Sequence, residues 1–217
     1  MKSKSALLFV LVLVGAAPSW AQGQSGWGVE QQSHRIEILG YGGYLWSGTQ
    51  DVWYGNQSGE VDVKDSAIWG IEADITARPG AQVVLLYSRQ DTGLEFGYGG
   101  RTYDVGDIAL EHWHIGGLTG VQRGNVMPFA MVTLGGTRIV PQFAGGGDDV
   151  WKFSLLFGLG AKMYVNERVG LRVQGRLPWI ILDGGGAVAC GTGGCYTSFG
   201  GYGIVQIDVS GGLFVMF

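Results

Sequence analysis

Beyond its first 21 residues, the sequence lacks any apolar run approaching the roughly 18 residues that a membrane-spanning helix requires. No helical periodicity competes with the two-residue alternation that runs through the chain. Basic residues are also scarce, because 14 lysines and arginines stand against 18 acidic residues and no segment concentrates them. This balance argues against nucleic-acid binding, which depends on basic contacts to phosphates. Because no apolar run after residue 21 is long enough for a helix, any membrane span there must be made of strands.

The first 21 residues have the layout of a cleavable secretory signal. Lys2 and Lys4 precede an apolar run from 6 to 17, and Ser19-Trp20-Ala21 ends the segment with small residues at positions 19 and 21. Removal of the segment leaves 12 basic against 18 acidic residues and a net charge of −6. About 196 residues remain, which is one domain's worth. We therefore predict an exported protein with a short periplasmic leader at 22–33.

After the leader, apolar and polar residues alternate in eight segments, each about as long as a tilted transmembrane strand. The segments are 34–46, 67–78, 81–90, 108–120, 127–138, 151–164, 168–181 and 203–217. Short turns at 78–80, 121–125 and 165–167 alternate with long connections at 47–66, 91–107, 139–150 and 182–202. This pattern is typical of outer-membrane barrels. The sequence predicts an all-β fold over 34–217, an eight-stranded antiparallel up-and-down transmembrane β-barrel.

Aromatic residues near the long connections predict an interfacial girdle. The residues are Trp46, Trp69, Trp113, Trp151 and Trp179, each in the half of a strand next to a long connection, together with Tyr87. Most of these aromatic residues have the same parity as apolar neighbours such as Leu85 and Leu171, which means that they occupy the same alternate positions along a strand. These positions mark the lipid-facing side. Amphipathic rings at one depth form the girdle of a membrane barrel. A soluble barrel or sandwich is the alternative, but it has no reason to gather its indoles at one rim.

The opposite parity carries most of the charge in the middle of the strands and faces the predicted interior. The residues are Arg35, Glu37, Glu72, Asp74, Lys162, Arg172, Arg176 and Asp208, with the neutral groups of His114, Gln174 and Gln206. Four positive charges thus meet four negative ones. Because eight strands enclose a space that side chains can fill, we predict a polar network that plugs the lumen. A proton or ion path along these residues is the alternative.

No pattern predicts a catalytic, cofactor-binding or metal site. His112 and His114 share one face of a strand, but the sequence identifies no further metal ligands. The glycine runs do not lead from a strand into a helix, as phosphate-binding loops do, and no Gly-x-Ser-x-Gly elbow occurs. We therefore predict a protein that is not an enzyme and has no cofactor. A lipid-A-modifying esterase or acyltransferase is the alternative.

The two cysteines, Cys190 and Cys195, lie close together in the last long connection, with glycines between them. In an exported protein such a pair favours a disulfide, because the periplasm oxidises thiols. Metal binding is the alternative, but it needs more ligands than this connection supplies. A disulfide here closes a short loop, so the expected stabilisation is only about 2 kcal/mol.

The final segment alternates up to a terminal aromatic residue, with Leu213, Val215 and Phe217 on the lipid-facing parity. This arrangement resembles the insertion signal of bacterial outer-membrane barrels. We therefore predict that the barrel-assembly machinery reads these three residues during insertion.

Several stretches resemble the small outer-membrane barrels often grouped as porin-family or OmpA/OmpX-like proteins. They are LLYSRQDT at 85–92, HIGG at 114–117, PFAMVTLGG at 128–136, FSLLFGLG at 153–160, ERVGLR at 167–172 and the cysteine pair. The resemblance covers the chain from about residue 34 and implies the outer membrane of a Gram-negative bacterium. It implies no activity, because this group shares a barrel and no catalytic residues.

The sequence therefore predicts a structural or surface-interaction protein. Its expected partners are outer-membrane lipid and lipopolysaccharide, the assembly machinery during insertion, and an extracellular ligand or surface partner bound through the long loops. No nucleic acid is expected, and the barrel is expected to be a monomer. A narrow conduit for small solutes or ions is the alternative function.

Overall fold

The computed structural model describes residues 36–47, 50–54, 57–98, 101–143, 148–181, 188–191, 194–197 and 204–217. Within these ranges no helix is long and apolar enough to cross a membrane. The predicted signal at 1–21 and leader at 22–33 lie outside the described residues, as does Arg35.

Twelve β-strands form in the described ranges. They are β1 Ile36–Ser47, β2 Gln50–Tyr54, β3 Gln57–Val63, β4 Ser66–Arg78, β5 Ala81–Tyr98, β6 Arg101–Gly120, β7 Val126–Pro141, β8 Val150–Tyr164, β9 Val169–Ile180, β10 Val188–Gly191, β11 Gly194–Thr197 and β12 Ile204–Met216. Strands β1, β4 to β9 and β12 correspond to the eight predicted segments. They pair antiparallel in chain order, and β1 pairs with β12 to close the barrel. The predicted fold class is confirmed.

The pairing register fixes how the strands tilt in the barrel. From Ile204 on β12, a path of paired residues runs from strand to strand around the barrel. The path reaches β12 again at Phe214, ten residues further along the chain. With a rise of about 3.3 Å per residue and strands about 4.8 Å apart, this stagger tilts the strands by about 40° from the barrel axis. Eight strands at such a tilt enclose an interior that side chains can fill.

Short turns join barrel strands at one end, where the sequence predicted them. Gly80 and Gly124 have φ values of 75° and 59° in two of these turns, a backbone region that suits glycine. In the third turn, Asn166 Oδ1 accepts hydrogen bonds of 2.8 Å from the backbone N–H groups of Arg168 and Val169. The side chain thus stabilises the reversal locally.

The opposite end of the barrel differs from the prediction. The prediction that 91–107 forms a long loop is wrong. Strand β5 continues to Tyr98 and β6 begins at Arg101, so the two strands form a paired hairpin that extends past the other strands. The predicted connection at 47–66 contains the β2–β3 hairpin, and β3 pairs with β5. The connection at 182–202 contains the β10–β11 hairpin.

Buried apolar side chains explain why the β5–β6 hairpin extends so far. Val63, Leu94, Ile108 and Leu110 form one cluster, with Ile139 packed against it. Of these residues, Val63, Leu94 and Ile139 lie in segments that the sequence analysis assigned to loops, and they pack against the predicted strand at Ile108 and Leu110. The alternating pattern there was hidden by glycine and acidic residues.

Alternate residues of the barrel strands face inward and outward. On β9, Leu171 and Val173 are 41% and 50% exposed, whereas Arg172 and Gln174 are buried. The interior also contains an apolar cluster of Val84, Leu86, Leu118, Met127, Phe129, Met131 and Leu156. Polar and apolar side chains therefore share the inside of the barrel.

Candidate functional site

The structure places ten of the eleven predicted lumen residues inside the barrel. They are Glu37, Glu72, Asp74, His114, Lys162, Arg172, Gln174, Arg176, Gln206 and Asp208, and all of them are buried. The eleventh, Arg35, lies outside the described residues. The cations among the ten contact carboxylates from other strands.

Lys162 on β8 is the centre of the charged group nearest the short turns. Its Nζ lies 2.5 Å from Glu37 Oε2, 2.7 Å from Asp74 Oδ2 and 2.6 Å from Gln82 Oε1. Gln82 Nε2 also donates a hydrogen bond of 2.6 Å to Glu37 Oε1. All three N–H groups of the buried ammonium therefore have acceptors. These contacts connect strands β1, β4, β5 and β8 across the interior.

Arg172 on β9 shares a carboxylate with Lys162. Its Nη1 lies 2.7 Å from Glu72 Oε1 and 3.0 Å from Asp74 Oδ2. The guanidinium carbon lies 4.4 Å from the centroid of the Phe129 ring, in the range of a cation–π contact. Asp74 therefore joins the two cations into one group.

Arg176 on β9 forms a separate group with residues of β12 and β1. Its Nε lies 3.0 and 2.9 Å from the two carboxylate oxygens of Asp208, and its Nη1 donates a hydrogen bond of 2.6 Å to Tyr41 Oη. The guanidinium carbon lies 4.5 Å from the centroid of the Tyr41 ring. A Cβ atom at position 70 would collide with that ring, so Gly70 makes room for Tyr41.

Pairing offsets the cost of removing these charges from water. The desolvation of one buried ion costs several kcal/mol, and an ion pair compensates for it only with good geometry and further hydrogen bonds. The contacts of Lys162 meet that condition, whereas Arg172 Nε and Glu72 Oε2 have no hydrogen-bond partner among the described residues. Removal of one partner from such a pair costs roughly 3–5 kcal/mol, because the other charge stays buried.

A group of imidazoles and hydroxyls lies on the side of the barrel formed by β6, β7 and β8. His114 Nδ1 lies 3.0 Å from Thr133 Oγ1, and His114 Nε2 lies 2.8 Å from Ser154 Oγ. Thr137 Oγ1 donates a hydrogen bond of 2.8 Å to Ser154 Oγ and lies 2.8 Å from His112 Nδ1. The sequence analysis did not predict Thr137 or Ser154, although both have inward parity.

The metal site considered for the two histidines has no further ligands in this group. Hydroxyl oxygens, not carboxylates or thiolates, contact both imidazoles. In the part of the chain that the structure describes, no group of three or more histidine, cysteine, aspartate or glutamate residues could hold a metal ion.

The predicted girdle residues lie on the outer face. Trp46, Trp69, Trp113 and Trp151 are between 45% and 56% exposed, whereas Tyr87 and Trp179 are partly buried. The Tyr87 ring lies 5.9 Å from that of Trp69 and 4.5 Å from that of Trp113, measured between centroids. Three amphipathic rings from adjacent strands therefore contact one another, as in an interfacial belt.

The outer face becomes charged two residues beyond these rings. Tyr87 pairs with Trp113, and in the next outward-facing row Arg89 pairs with Glu111, which pairs with Arg138. Arg89 Nη1 lies 3.1 Å from Glu111 Oε1, and Arg138 Nη1 lies 3.3 Å from Glu111 Oε2. This row marks the outer limit of the lipid-facing band. It was missed because the two-residue alternation continues through it.

Further from the band, Lys64 connects the β3–β4 junction to the extended hairpin. Its Nζ lies 2.9 Å from Glu95 Oε1 and 3.3 Å from Asp104 Oδ2. The hydrogen bonds to Glu95 and Asp104 raise the pKa of Lys64 above its usual value. Lys64 therefore connects both strands of the hairpin through paired charges.

The residues of the predicted insertion signal lie on the outer face of β12 and just after it. Leu213, Val215 and Phe217 are 60%, 40% and 70% exposed. The backbone N–H of Phe217 donates a hydrogen bond of 2.9 Å to the carbonyl of Ile36. Their reading by the assembly machinery stays a prediction.

The cysteines occupy opposed positions in a small sheet, where Cys190 of β10 pairs with Cys195 of β11. Their side chains lie outside the described part of the structure. The disulfide between them stays a prediction.

No protein-family model matches the chain, and no curated protein sequence matches it. Solved structures resemble its fold, among them the three that follow. Neisserial surface protein A is 14% identical, with a TM-score of 0.57 over 84% of this chain and 97% of that one. OprG from Pseudomonas aeruginosa is 12% identical, with a TM-score of 0.55 over 85% and 97%. AlkL, solved in lipid bilayers, is 10% identical, with a TM-score of 0.53 over 93% and 97%.

These likenesses establish the fold. The chain is a closed barrel of the bacterial outer-membrane type, and its outer face has the apolar band and aromatic belt that such barrels present to lipid.

Proposed function

We propose that this outer-membrane barrel is closed to solutes by its own side chains and acts through its outer hairpins. The observation that supports a closed interior is the network of ion pairs across it. Lys162 and Arg172 connect to carboxylates on two other barrel strands, β1 and β4, with separations of 2.5 to 3.0 Å. An eight-stranded barrel has little room beyond its side chains. Paired charges at these distances leave no space for a solute between them.

The outer face supports a role inside the membrane. Large apolar residues are exposed on every barrel strand, for example Ile71, Ile115, Leu159 and Ile207 at 50% or more. A soluble protein rarely exposes such a continuous apolar surface. Lipid and lipopolysaccharide are therefore the proposed partners of this face.

Conductance across a planar bilayer tests the closed interior. The refolded full chain is expected to show no stable channel of porin size. The Arg89→Ala variant, which removes an arginine from the outer face and leaves the interior pairs intact, is expected to show the same absence of a channel. A stable single-channel conductance that survives repurification and is lost when the lumen is blocked would contradict the proposal.

Hydroxyl–imidazole contacts in the interior have the separation of a nucleophile and its base. Ser154 Oγ, for example, lies 2.8 Å from His114 Nε2. Both side chains are buried inside the barrel, however, so neither faces the lipid that a lipid-A-modifying enzyme must reach. We therefore propose a protein without enzymatic activity.

The mass of lipid A from cells that express the protein tests this conclusion. The mass is expected to match that from cells with an empty vector. A mass shift that disappears in the Ser154→Ala variant would establish the enzymatic alternative.

The outer hairpins are the proposed interaction surface. The β2–β3 and β5–β6 hairpins pair with each other, and the inner side of their base is packed around Leu94 and Ile108. They therefore present a preformed surface. We expect a variant that lacks residues 95–104 to keep the barrel, as judged by faster gel migration without heating, and to lose any extracellular partner that the full chain captures. Equal capture by both proteins would place the interaction elsewhere.

A further inference from the structure

Several polar atoms in the outer half of the barrel interior have no protein partner. They are Gln90 Oε1 and Nε2, His112 Nε2, Arg176 Nη2 and Gln206 Oε1. All four side chains are at most 2% exposed. Because a buried polar group without a hydrogen bond costs free energy, such groups in folded proteins are nearly always satisfied. Five unpaired atoms in one region therefore indicate a ligand.

The unpaired atoms come from strands that meet at one height. Ser88 pairs in register with His112 on the neighbouring strand. With the tilt of about 40°, Gln90, His112 and Gln206 lie within about 3 Å of the same height along the barrel axis. Ser88 and Arg176 face inward one step closer to the short turns. All five side chains therefore line one part of the interior.

His112 has one paired and one unpaired ring nitrogen. Its Nδ1 lies 2.8 Å from Thr137 Oγ1, whereas its Nε2 has no partner among the described residues. A hydroxyl group satisfies Nε2 in either tautomer, because a hydroxyl group both donates and accepts hydrogen bonds.

Apolar and charged layers lie on either side of this part of the interior. On the outer side, Leu94, Ile108 and Leu110 pack with Val63, and Ile180 packs with Ile204. On the other side lie the ion pairs of Lys162 and Arg172. Between these layers the lining side chains of Ser88, Thr137 and Ser154 are short, and we call this part of the interior the chamber.

We propose that this chamber binds a small neutral ligand that carries hydroxyl groups, either water or a polyol of about the size of glycerol. The amide oxygens of Gln90 and Gln206 require donors, whereas Gln90 Nε2 and Arg176 Nη2 require acceptors, and His112 Nε2 requires one or the other according to its tautomer. A hydroxyl group supplies both functions. Arg176 is already paired with Asp208, so the lining selects no charged ligand. The site goes beyond the proposed closed barrel, since a ligand can occupy the chamber without a path through the ion pairs.

Nuclear magnetic resonance of the labelled, refolded full chain in detergent micelles tests the site on the unmodified protein. Cross-relaxation peaks are expected between a long-lived ligand and the side-chain amide protons of Gln90. Peaks from the carbon-bound protons of added glycerol would identify a polyol. Peaks from water that persist in glycerol would identify water. The absence of both kinds of peak at Gln90 would overturn the proposal.

Substitution of two glutamines gives an independent test. Gln90→Leu is expected to lower the urea midpoint of unfolding, because it removes hydrogen bonds to the bound ligand. Gln82→Leu is the control, because the partners of Gln82 are Lys162 and Glu37, and its midpoint falls whether or not the chamber is occupied. An unchanged or raised midpoint for Gln90→Leu beside a lowered one for Gln82→Leu would show that the Gln90 amide is buried without a ligand. That result would overturn the proposal.

Discussion

Replacement of Arg172 by leucine tests the interior ion pairs most directly. Leucine keeps an apolar side chain beside Phe129 but removes the cation that lies 2.7 Å from Glu72. Glu72 is fully buried, and Arg172 is its only cation partner among the described residues, whereas Asp74 keeps Lys162. We therefore expect the free energy of unfolding to fall by roughly 3–5 kcal/mol. Urea unfolding in micelles, followed by tryptophan fluorescence, measures the change.

Arg89→Leu is the matched control for this prediction. Arg89 also contacts two carboxylates, but its side chain is 31% exposed, so the loss is expected to be at most about 1 kcal/mol. Addition of Glu72→Gln to Arg172→Leu is expected to recover part of the stability, because it removes the unpaired charge. Equal losses for the two arginine variants would refute the reasoning, since they would mean that solvent screens the interior.

Three further predictions concern the outer face and the small hairpin. Val132→Arg, halfway along β7, is expected to cost about 2–4 kcal/mol in vesicle unfolding, whereas Val126→Arg near the short turns costs about 0–1 kcal/mol; equal costs would argue against a lipid-facing β7. Trp113 fluorescence is expected to be quenched more by lipids brominated near the headgroup than at the chain end, since the ring lies in the girdle; the reverse order would move it to the midplane. Cys190 and Cys195 are expected to react with a thiol reagent in the unfolded protein only after reduction, and reaction without reduction would exclude the disulfide.

The eight barrel strands could be predicted because each has one lipid-facing side. Lipid requires apolar residues at every second position, so the alternation is strong wherever a strand crosses the membrane. The signal disappears beyond the girdle, where both sides of a strand can be polar. This is why β5 was predicted to end at Gln90 and actually continues to Tyr98.

The interior residues could be predicted by parity, but their partners could not. Parity gave Arg172 and Glu72 the same inward direction. Their contact depends on the ten-residue stagger of the closed barrel, which no local pattern contains. Ser154 and Thr137 were missed for a related reason, because serine and threonine occur on both faces of strands and carry no strong preference.

The interior ion pairs also constrain how the barrel can assemble. Lys162 and Glu37 are 125 residues apart, and Arg172 and Glu72 are 100 residues apart, so no isolated hairpin can form either pair. Contacts of such long range form late in folding. A slip of β8 by one residue would turn Lys162 toward lipid and Met163 toward the carboxylates. The network therefore selects the correct register at the moment of closure, and misregistered barrels are left with unpaired buried charges.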